Sequence, residues 1–435
     1  MRRVLITGLG AASPYGLGRR VFWAGLAAGR CAIGPVTLFP TDGFRARIAA
    51  EVPDARVPRA SRRRSRADRL AIAAADEAIA DAGLGRPALR PAAVVVGGIG
   101  GGMLEAEAWY WRLTREGVDD PRLRRSLRTI LPTAHAETLA RRYGTTGPKE
   151  TVVLACSSGG AALGLAADLV RTGMTPLALA GGVDALTRIC FMGFNALKLL
   201  DPEPCRPFSR DRRGMSLGEG AGFVVLEDAA HAGRRGATPY AELAGYGLTT
   251  DAYHMTSPHP DAEGSVRAML EALDQARVPA GAVGYVNAHG TGTVQNDRAE
   301  GLALRKVFGP DGVLLSANKS LIGHTMAAAG ALAAIASVLT LVHELIPPTA
   351  HLADPDPEVP FDCVPNTARP AQLEWAMSNS FGFGGQNVSL LFHRARDGRR
   401  PDVAWERVVQ SVRAAPPSPP VGGGGGLGGG REVPN

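Results

Sequence analysis

Short apolar runs alternate along this chain with segments of helical periodicity, and this alternation restricts the fold more than any other feature. The runs have the length and composition of buried strands. Helices are predicted between them, for example at 68–82 and 158–171. Strands that are apolar on both faces need helices on both sides of the sheet, so the pattern predicts an α/β protein. The runs lie at 3–7, 91–96, 150–155, 176–181 and 222–227.

The alternation starts again near residue 240, which suggests an internal duplication into two α/β halves. We therefore predict an N-terminal half over 1–243 and a C-terminal half over 244–394. Residues 395–435 contain five prolines within 401–420 and a glycine run at 422–430, and we expect them to form a flexible tail. The second set comprises strands at 240–246, 282–288, 313–316, 375–380 and 388–393, with helices at 262–276, 297–308 and 327–343.

Composition narrows the functional classes. The chain has 435 residues, 45% of them hydrophobic, and a formal net charge of +7, which excludes a disordered or collagen-like protein. Five cysteines without a CxxC spacing indicate neither a disulfide framework nor a metal site. No secretory signal is expected, so we place the protein in the cytoplasm. The uncharged runs 151–167 and 326–342 are only mildly apolar and are interpreted as buried helices rather than membrane spans.

A glycine motif at the N-terminus raises an alternative function. The sequence VLITGLG at 4–10 resembles the start of a dinucleotide site, which would make the chain an oxidoreductase. That site needs a third glycine, where this chain has Ser13, and an acidic residue about 20 positions on. Residues 27–36 contain no Asp or Glu, so the pattern disfavours the oxidoreductase. The glycines at 97–102 are likewise interpreted as sites of close backbone packing.

Four polar, glycine-containing segments follow predicted strands. Since α/β sheets bind ligands at the carboxyl ends of their strands, we expect these segments to meet in one site. Their sequences are LACSSG at 154–159, NAHGTGT at 287–293, NKSLIGH at 318–324 and NSFGFGGQN at 379–387.

The residue types in these segments suit acyl transfer through a thioester. Cys156 precedes a helix, whose N-terminal dipole is expected to lower the pKa of the thiol and make it nucleophilic. The neutral imidazoles of His289 and His324 can donate hydrogen bonds to a carbonyl that becomes an enolate. Lys319 supplies a positive charge.

These segments resemble the active-site motifs of the β-ketoacyl-acyl carrier protein synthases, and the likeness is greatest to the elongating ketosynthase II type. Further similar stretches are PFSRDR at 207–212, LGEGAG at 217–222, IPPT at 346–349 and DPDP at 354–357. The resemblance covers about residues 1–394. It implies the five-layer αβαβα thiolase-like fold and a decarboxylative condensation of malonyl-acyl carrier protein with an acyl-enzyme. It also implies no bound cofactor and no metal, because the substrates are carried on the phosphopantetheine arm of the carrier protein.

The resemblance also assigns roles. Cys156 would be the nucleophile, while His289 and His324 would promote decarboxylation. Lys319 would hydrogen-bond within the site and pair with Glu300. The remaining assignments are the backbone N–H groups of Cys156 and Phe383 as the oxyanion hole, Phe383 as a gate, Thr291 and Thr293 as pantetheine contacts, and Ile99 and Phe194 as lining of the acyl pocket.

Arginines are concentrated at 59–69 and 122–128. A solvated basic face is one interpretation. By resemblance, Arg62, Arg63, Arg64 and Lys198 would dock the acidic carrier protein. No nucleic-acid motif or membrane segment is indicated, and a homodimer, or a heterodimer with a ketosynthase-like partner, is expected. The alternative function is a non-catalytic or decarboxylase-only partner subunit of another ketosynthase.

Overall fold

The computed structural model describes residues 2–58, 64–310, 312–359, 361–395 and 397–399. Its strands are β1 (Val4–Ser13), β2 (Gly16–Leu17), β3 (Gly34–Pro35), β4 (Ile48–Ala50), β5 (Ala93–Gly97), β6 (Lys149–Val152), β7 (Leu177–Asp184), β8 (Leu217–Gly218), β9 (Gly220–Asp228), β10 (Ala241–Thr250), β11 (Tyr285–Asn287), β12 (Leu314–Ser316), β13 (Leu345–Ile346), β14 (Arg369–Pro370), β15 (Trp375–Gly382) and β16 (Gln386–Arg394). Its helices are α1 (Arg19–Ala27), α2 (Arg66–Asp81), α3 (Arg86–Leu89), α4 (Met103–Trp111), α5 (Pro121–Ser126), α6 (Thr133–Tyr143), α7 (Ser158–Arg171), α8 (Arg188–Ala196), α9 (Ala229–Arg234), α10 (Glu263–Ala276), α11 (Val294–Phe308), α12 (Lys319–Ile322) and α13 (Ala329–His343).

Two five-stranded units with the same topology form the main sheet. The N-terminal unit has the order β6-β5-β7-β9-β1, and the C-terminal unit has the order β12-β11-β15-β16-β10. In each unit the second strand is parallel to both neighbours, and the last two strand pairs are antiparallel. The units meet where β1 pairs with β10. The predicted pair of α/β halves is therefore confirmed.

Helices separate and cover these two units. The central helices α7 and α13 pack against each other and against strands of both units. Helices α2 and α6 cover the outer face of the N-terminal unit, and α10 covers that of the C-terminal unit together with α11, which packs on α10. This gives the predicted five layers, αβαβα.

The predicted membrane-like run at 326–342 belongs to the central layer. In the described part of the chain, Met326–His343 is the one helical segment long and apolar enough to cross a membrane by composition, and 89% of it is buried inside the fold. The run is thus a buried helix, as predicted, and its apolar character is explained by the two five-stranded units that enclose it.

The first strand is longer than the predicted run at 3–7. Strand β1 continues through Gly8 and Gly10 to Ser13. A Cβ at Gly8 would lie 2.1 Å from the carbonyl oxygen of Ala78, and one at Gly10 would lie 1.9 Å from that of Ala74. The glycines therefore let helix α2 approach the strand within backbone contact, which no side chain would allow.

The same device recurs in the second half. Gly245 and Gly247 of β10 lie against the carbonyl oxygens of Ala272 and Ala268 in α10, at 2.2 and 2.1 Å from their would-be Cβ atoms. Both strands also carry a register shift at the first glycine, next to β9 and β16 respectively. The duplication is thus visible at individual glycines of β1 and β10.

The dinucleotide interpretation of the first glycine motif is also excluded by topology. A dinucleotide site needs β1 inside a parallel βαβ unit. Here β1 is antiparallel to β9, β10 and β2.

Two expectations about boundaries are not decided by the fold. The predicted division between residues 243 and 244 falls within β10 and stays a prediction. Most of the predicted tail, including 400–435, lies outside the described residues. In the described part of this predicted tail, Arg399 forms an ion pair with Asp81 at 2.6 Å, and its guanidinium stacks 4.5 Å above the Tyr240 ring.

Candidate active site

Cys156 lies between the end of β6 and the start of α7. Ala155 adopts a left-handed backbone conformation with φ of 46°, which turns the chain sharply before the cysteine. The side chain is buried, with 6% of the residue exposed. This placement at the entry to a helix agrees with the sequence prediction.

The predicted direction of the thiol pKa is wrong. Burial raises the pKa of Cys156 to about 12 and outweighs the lowering effects of Lys319 and of hydrogen bonds from the backbone N–H groups of Phe383 and Cys156. Cys156 is therefore a thiol at pH 7. The two N–H groups named for the oxyanion hole do converge on the cysteine sulfur, which places them beside an acyl group attached there.

The rings of the two histidines form a T-shaped contact in the cleft that Cys156 also lines. The ring centroids of His289 and His324 are 5.4 Å apart with an interplanar angle of 85°. Burial, reinforced by the positive charge of Lys319, lowers the pKa of both well below 6.5. Both imidazoles are thus neutral at pH 7, as the sequence analysis expected.

Hydrogen bonds fix which ring nitrogen carries the proton. The backbone N–H of Met326 donates to Nδ1 of His324 at 3.1 Å, so the proton of that ring lies on Nε2. Nδ1 of His289 lies 3.2 Å from Nζ of Lys319, and an ammonium can only donate. Burial lowers the pKa of Lys319 to about 8, so it is mostly charged at pH 7. Both histidines therefore present an Nε2–H donor.

Glu300 does not play the predicted part. Its carboxylate accepts the backbone N–H groups of His289 and Gly290, both at 2.8 Å. Among the described residues Lys319 makes no ion pair within 4.0 Å, and it donates instead to Nδ1 and the carbonyl oxygen of His289. Glu300 acts on Lys319 only through its field, and burial raises the pKa of the carboxyl to about 7. Glu300 thus holds the loop that carries His289.

One cleft brings most of the predicted residues together. Thr291, Thr293, Phe194 and Phe383 line it with the cysteine and the two histidines. The rings of Phe194 and Phe383 stack at 5.6 Å between centroids. Ile99 packs in the same apolar cluster but does not line the cleft, so it lies behind the wall rather than in it.

Two buried carboxylates that the sequence analysis missed hold the walls of the cleft. Asp184, at the end of β7, accepts the backbone N–H groups of Gly100 and Ala327, both at 2.8 Å. Asp297, in the first turn of α11, accepts those of Thr291 and Gly292 at 3.1 and 3.2 Å. Asp184 ends a strand and Asp297 lies four residues after the NAHGTGT segment, and these positions are the signal that could have found them.

The basic docking surface is only partly as predicted. Arg64 and Lys198 are exposed, whereas Arg62 and Arg63 lie outside the described residues. Arg66, counted in the same arginine cluster, is 2% exposed and forms an ion pair with buried Glu219 at 2.6 Å. It is therefore part of the core and not of a docking face.

The described ranges contain no group of three or more His, Cys, Asp or Glu residues arranged to hold a metal ion. The chemistry available to the cleft is that of the thiol, the two Nε2–H donors, the ammonium and the backbone N–H groups.

Comparison with known families gives a consistent result. Residues 1–232 match the N-terminal domain of the β-ketoacyl synthases, and residues 240–353 match their C-terminal domain. A 3-oxoacyl-[acyl-carrier-protein] synthase 2 from Rhizobium meliloti is 39% identical over 424 residues, which cover 91% of this chain and 99% of the relative.

Two solved structures extend the comparison. The ishigamide ketosynthase/chain length factor superimposes with a TM-score of 0.86 at 38% identity, over 91% of this chain and 99% of that one. A ketosynthase of a type II polyketide system, bound to its acyl-carrier protein and a hexaketide, gives a TM-score of 0.84 at 30% identity, over 91% and 100% of the two chains.

Proposed function

This chain belongs to the β-ketoacyl synthase family and is an acyltransferase of the condensing kind, and on that premise we propose its reaction. It condenses an acyl group held on Cys156 with malonyl-acyl carrier protein by decarboxylation. The products are 3-ketoacyl-acyl carrier protein and carbon dioxide. The reaction serves fatty-acid or type II polyketide synthesis.

The first half-reaction loads the enzyme. The sulfur of Cys156 attacks the carbonyl carbon of an acyl thioester on the carrier protein, and the C–S bond to the pantetheine breaks. The thiol proton passes to the departing pantetheine sulfur. The backbone N–H groups of Cys156 and Phe383 would bind the tetrahedral oxyanion, because they already converge on the sulfur.

The second half-reaction forms the carbon–carbon bond. The Nε2–H groups of His289 and His324 would hydrogen-bond the thioester oxygen of the malonyl group. Loss of carbon dioxide then leaves the electron pair of the broken C–C bond on the remaining fragment as an enolate, and the two neutral Nε2–H donors stabilise its oxygen. The α-carbon attacks the acyl carbonyl on Cys156, and the C–S bond breaks to release the 3-ketoacyl product. The sulfur regains a proton from solvent.

The rest of the cleft fits the carrier arm. Thr291 and Thr293 hydrogen-bond each other through their hydroxyls at 2.9 Å on the wall, in position to contact the pantetheine. Phe383 and Phe194 would border the acyl chain, with Ile99 behind them. The acyl carrier protein would dock over the mouth with help from Arg62, Arg63, Arg64 and Lys198.

One observation carries the catalytic proposal over a partner-subunit role. The nucleophile and both donors line one buried cleft, and the lysine that fixes one of the donors hydrogen-bonds to His289. The similar solved structures include a ketosynthase with a chain length factor, so we propose that this chain works as a dimer, with itself or with such a partner. Because the mechanism needs a free thiol, we propose the cytoplasm as its location.

Intact-mass measurement tests the proposal. Wild-type protein and Cys156→Ala are incubated with a series of acyl-acyl carrier proteins. We expect one acyl mass on the wild type and none on the variant, while the variant still decarboxylates malonyl-acyl carrier protein. If the wild type accepts no acyl group, alone or with a chain-length partner, the catalytic proposal fails and the partner-subunit role replaces it.

A further inference from the structure

A second, small cavity lies behind the catalytic cleft. It is bounded by the end of β11, the turn of α12, the loop after it and the first turns of α13. Its size suits about one water molecule. Its lining residues are Asn287, Asn318, Lys319, Ile322, Gly323, Thr325, Ala329 and Ala333.

Three polar atoms on this lining have no hydrogen-bond partner among the residues that the structure describes. Both amide atoms of Asn318 and the hydroxyl of Thr325 are buried without a hydrogen bond to any described residue. The two residues are 5% and 1% exposed. Buried side-chain amides and hydroxyls in native proteins bond to protein or to ordered water, so a ligand able to both donate and accept is required here.

We infer that the cavity is a binding site for one ordered water molecule, held by Asn318 and Thr325. Water is the ligand that can accept from the amide nitrogen while donating to the amide or hydroxyl oxygen. A monovalent cation could use only the oxygens, and it would have to sit beside Lys319, whose charge repels it.

The residues that line this site are close in sequence to the predicted catalytic residues, and this indicates its role. Asn318 immediately precedes Lys319, Thr325 immediately follows His324, and Asn287 lies two residues before His289. Among the described residues, the amide nitrogen of Asn287 has only a long 3.4 Å hydrogen bond to the carbonyl of Ala333. A water in this cavity would therefore link the backbone segments that carry Lys319, His324 and His289.

Asn318 and Thr325 are thus positioning residues, which act through the side chains next to them. This consequence rests on the proposed function, since it concerns decarboxylation at His289 and His324. The water site itself does not, and it can be tested without any activity.

A crystal structure of the wild-type protein at about 1.5 Å tests the site directly. We expect a density peak of water occupancy within hydrogen-bond distance of Asn318 and Thr325. A cavity without density, or a peak with the anomalous signal of rubidium after soaking in that ion, would overturn the inference.

Kinetics test the positioning role. Thr325→Val removes the hydroxyl and keeps the shape of the side chain, and Thr340→Val is a matched control. Thr340 also carries a buried hydroxyl without a partner among the described residues, but it does not line the cavity. We expect Thr325→Val to slow malonyl decarboxylation about tenfold, the usual cost of a hydrogen-bonding group, and to leave acylation of Cys156 within about twofold.

Two further results decide between positioning and general damage. Thr325→Ser, which restores the hydroxyl, should recover most of the decarboxylation rate, and Thr340→Val should match the wild type in both half-reactions. If Thr325→Val slows both half-reactions equally, or slows neither, the positioning role is wrong even where the water is seen. If the wild type shows no acylation at all, it is the proposed function that fails.

Discussion

Replacing Lys319 by methionine separates the two half-reactions that the cleft is proposed to catalyse. Methionine keeps an unbranched side chain of similar length in a buried position but removes the charge and the donors. The Lys319 ammonium lies 3.2 Å from Nδ1 of His289, and this contact holds the His289 proton on Nε2. Hydrogen bonds from charged groups contribute about 1.5–3 kcal/mol. Converted at about 1.4 kcal/mol per decade, the expected loss in decarboxylation is about 10- to 150-fold.

Acylation of Cys156 should suffer less. Lys319 lowers the pKa of that thiol only through its field, against the dominant effect of burial. The assay follows carbon dioxide release from malonyl-acyl carrier protein and, separately, acyl mass on the enzyme. Lys306→Met is the control, because Lys306 is exposed and donates only to the carbonyl of Asp261 among the residues described.

The pH profile gives the same test a second form. Lys319 has a pKa of about 8, lowered because burial disfavours the ammonium. As pH rises through about 8 the ammonium becomes an amine, which can accept as well as donate a hydrogen bond and so no longer holds the His289 proton on Nε2. Wild-type decarboxylation should therefore fall there, and the variant should lack that limb. A folded Lys319→Met enzyme that decarboxylates within about twofold of wild type at pH 7 would refute the assignment of the His289 tautomer to this lysine.

Three further predictions concern the fold and the docking surface. Arg66→Met should destabilise the protein by about 3–5 kcal/mol in urea unfolding, because it leaves Glu219 buried without its partner. Gly245→Ala should lower the melting temperature, because the new Cβ would lie 2.2 Å from a backbone oxygen of α10, a clash that repacking of side chains alone does not relieve; an unchanged melting temperature would contradict the backbone-contact argument. Charge reversal at Arg64 and Lys198 should raise the KM for acyl carrier protein at low salt and leave it unchanged at high salt, and an unchanged KM at low salt would exclude these residues from docking.

The sequence predicted the strands of this fold well because their signal is local. Buried runs such as 91–96 and 176–181 are apolar on both faces, and the structure has strands at Ala93–Gly97 and Leu177–Asp184. Helix α4 was not predicted, because its large apolar residues do not follow one buried face: Tyr110 and Trp111 are exposed. Helix α8 was also not predicted, although Phe191 and Phe194 have the spacing of one buried helical face.

Features of the site were predicted correctly where the residue type alone indicates the chemistry. They were predicted wrongly where distances or burial in the folded chain decide the outcome. The cysteine, the histidines and the lysine were found from their motifs, and the cleft brings the first three together. The role of Glu300 was wrong because a spacing of eleven residues does not tell which donors its carboxylate reaches. The thiol pKa was wrong because the helix end favours the thiolate while burial opposes it, and only the folded chain shows that burial dominates.

The duplication explains why Cys156 lies in one site with Lys319 and His324. Cys156 follows β6 and precedes α7, and Lys319 and His324 follow β12 and precede α13, which are the equivalent strand and helix of the other half. The two central helices approach so closely at their N-terminal ends that a Cβ on Gly330 would lie 2.5 Å from the nitrogen of Gly160. The N-terminal ends of α7 and α13, which have equivalent positions in the two units, therefore meet at one site. The repeated connection therefore explains how Cys156 and His324, which lie far apart in the sequence, come to line one cleft.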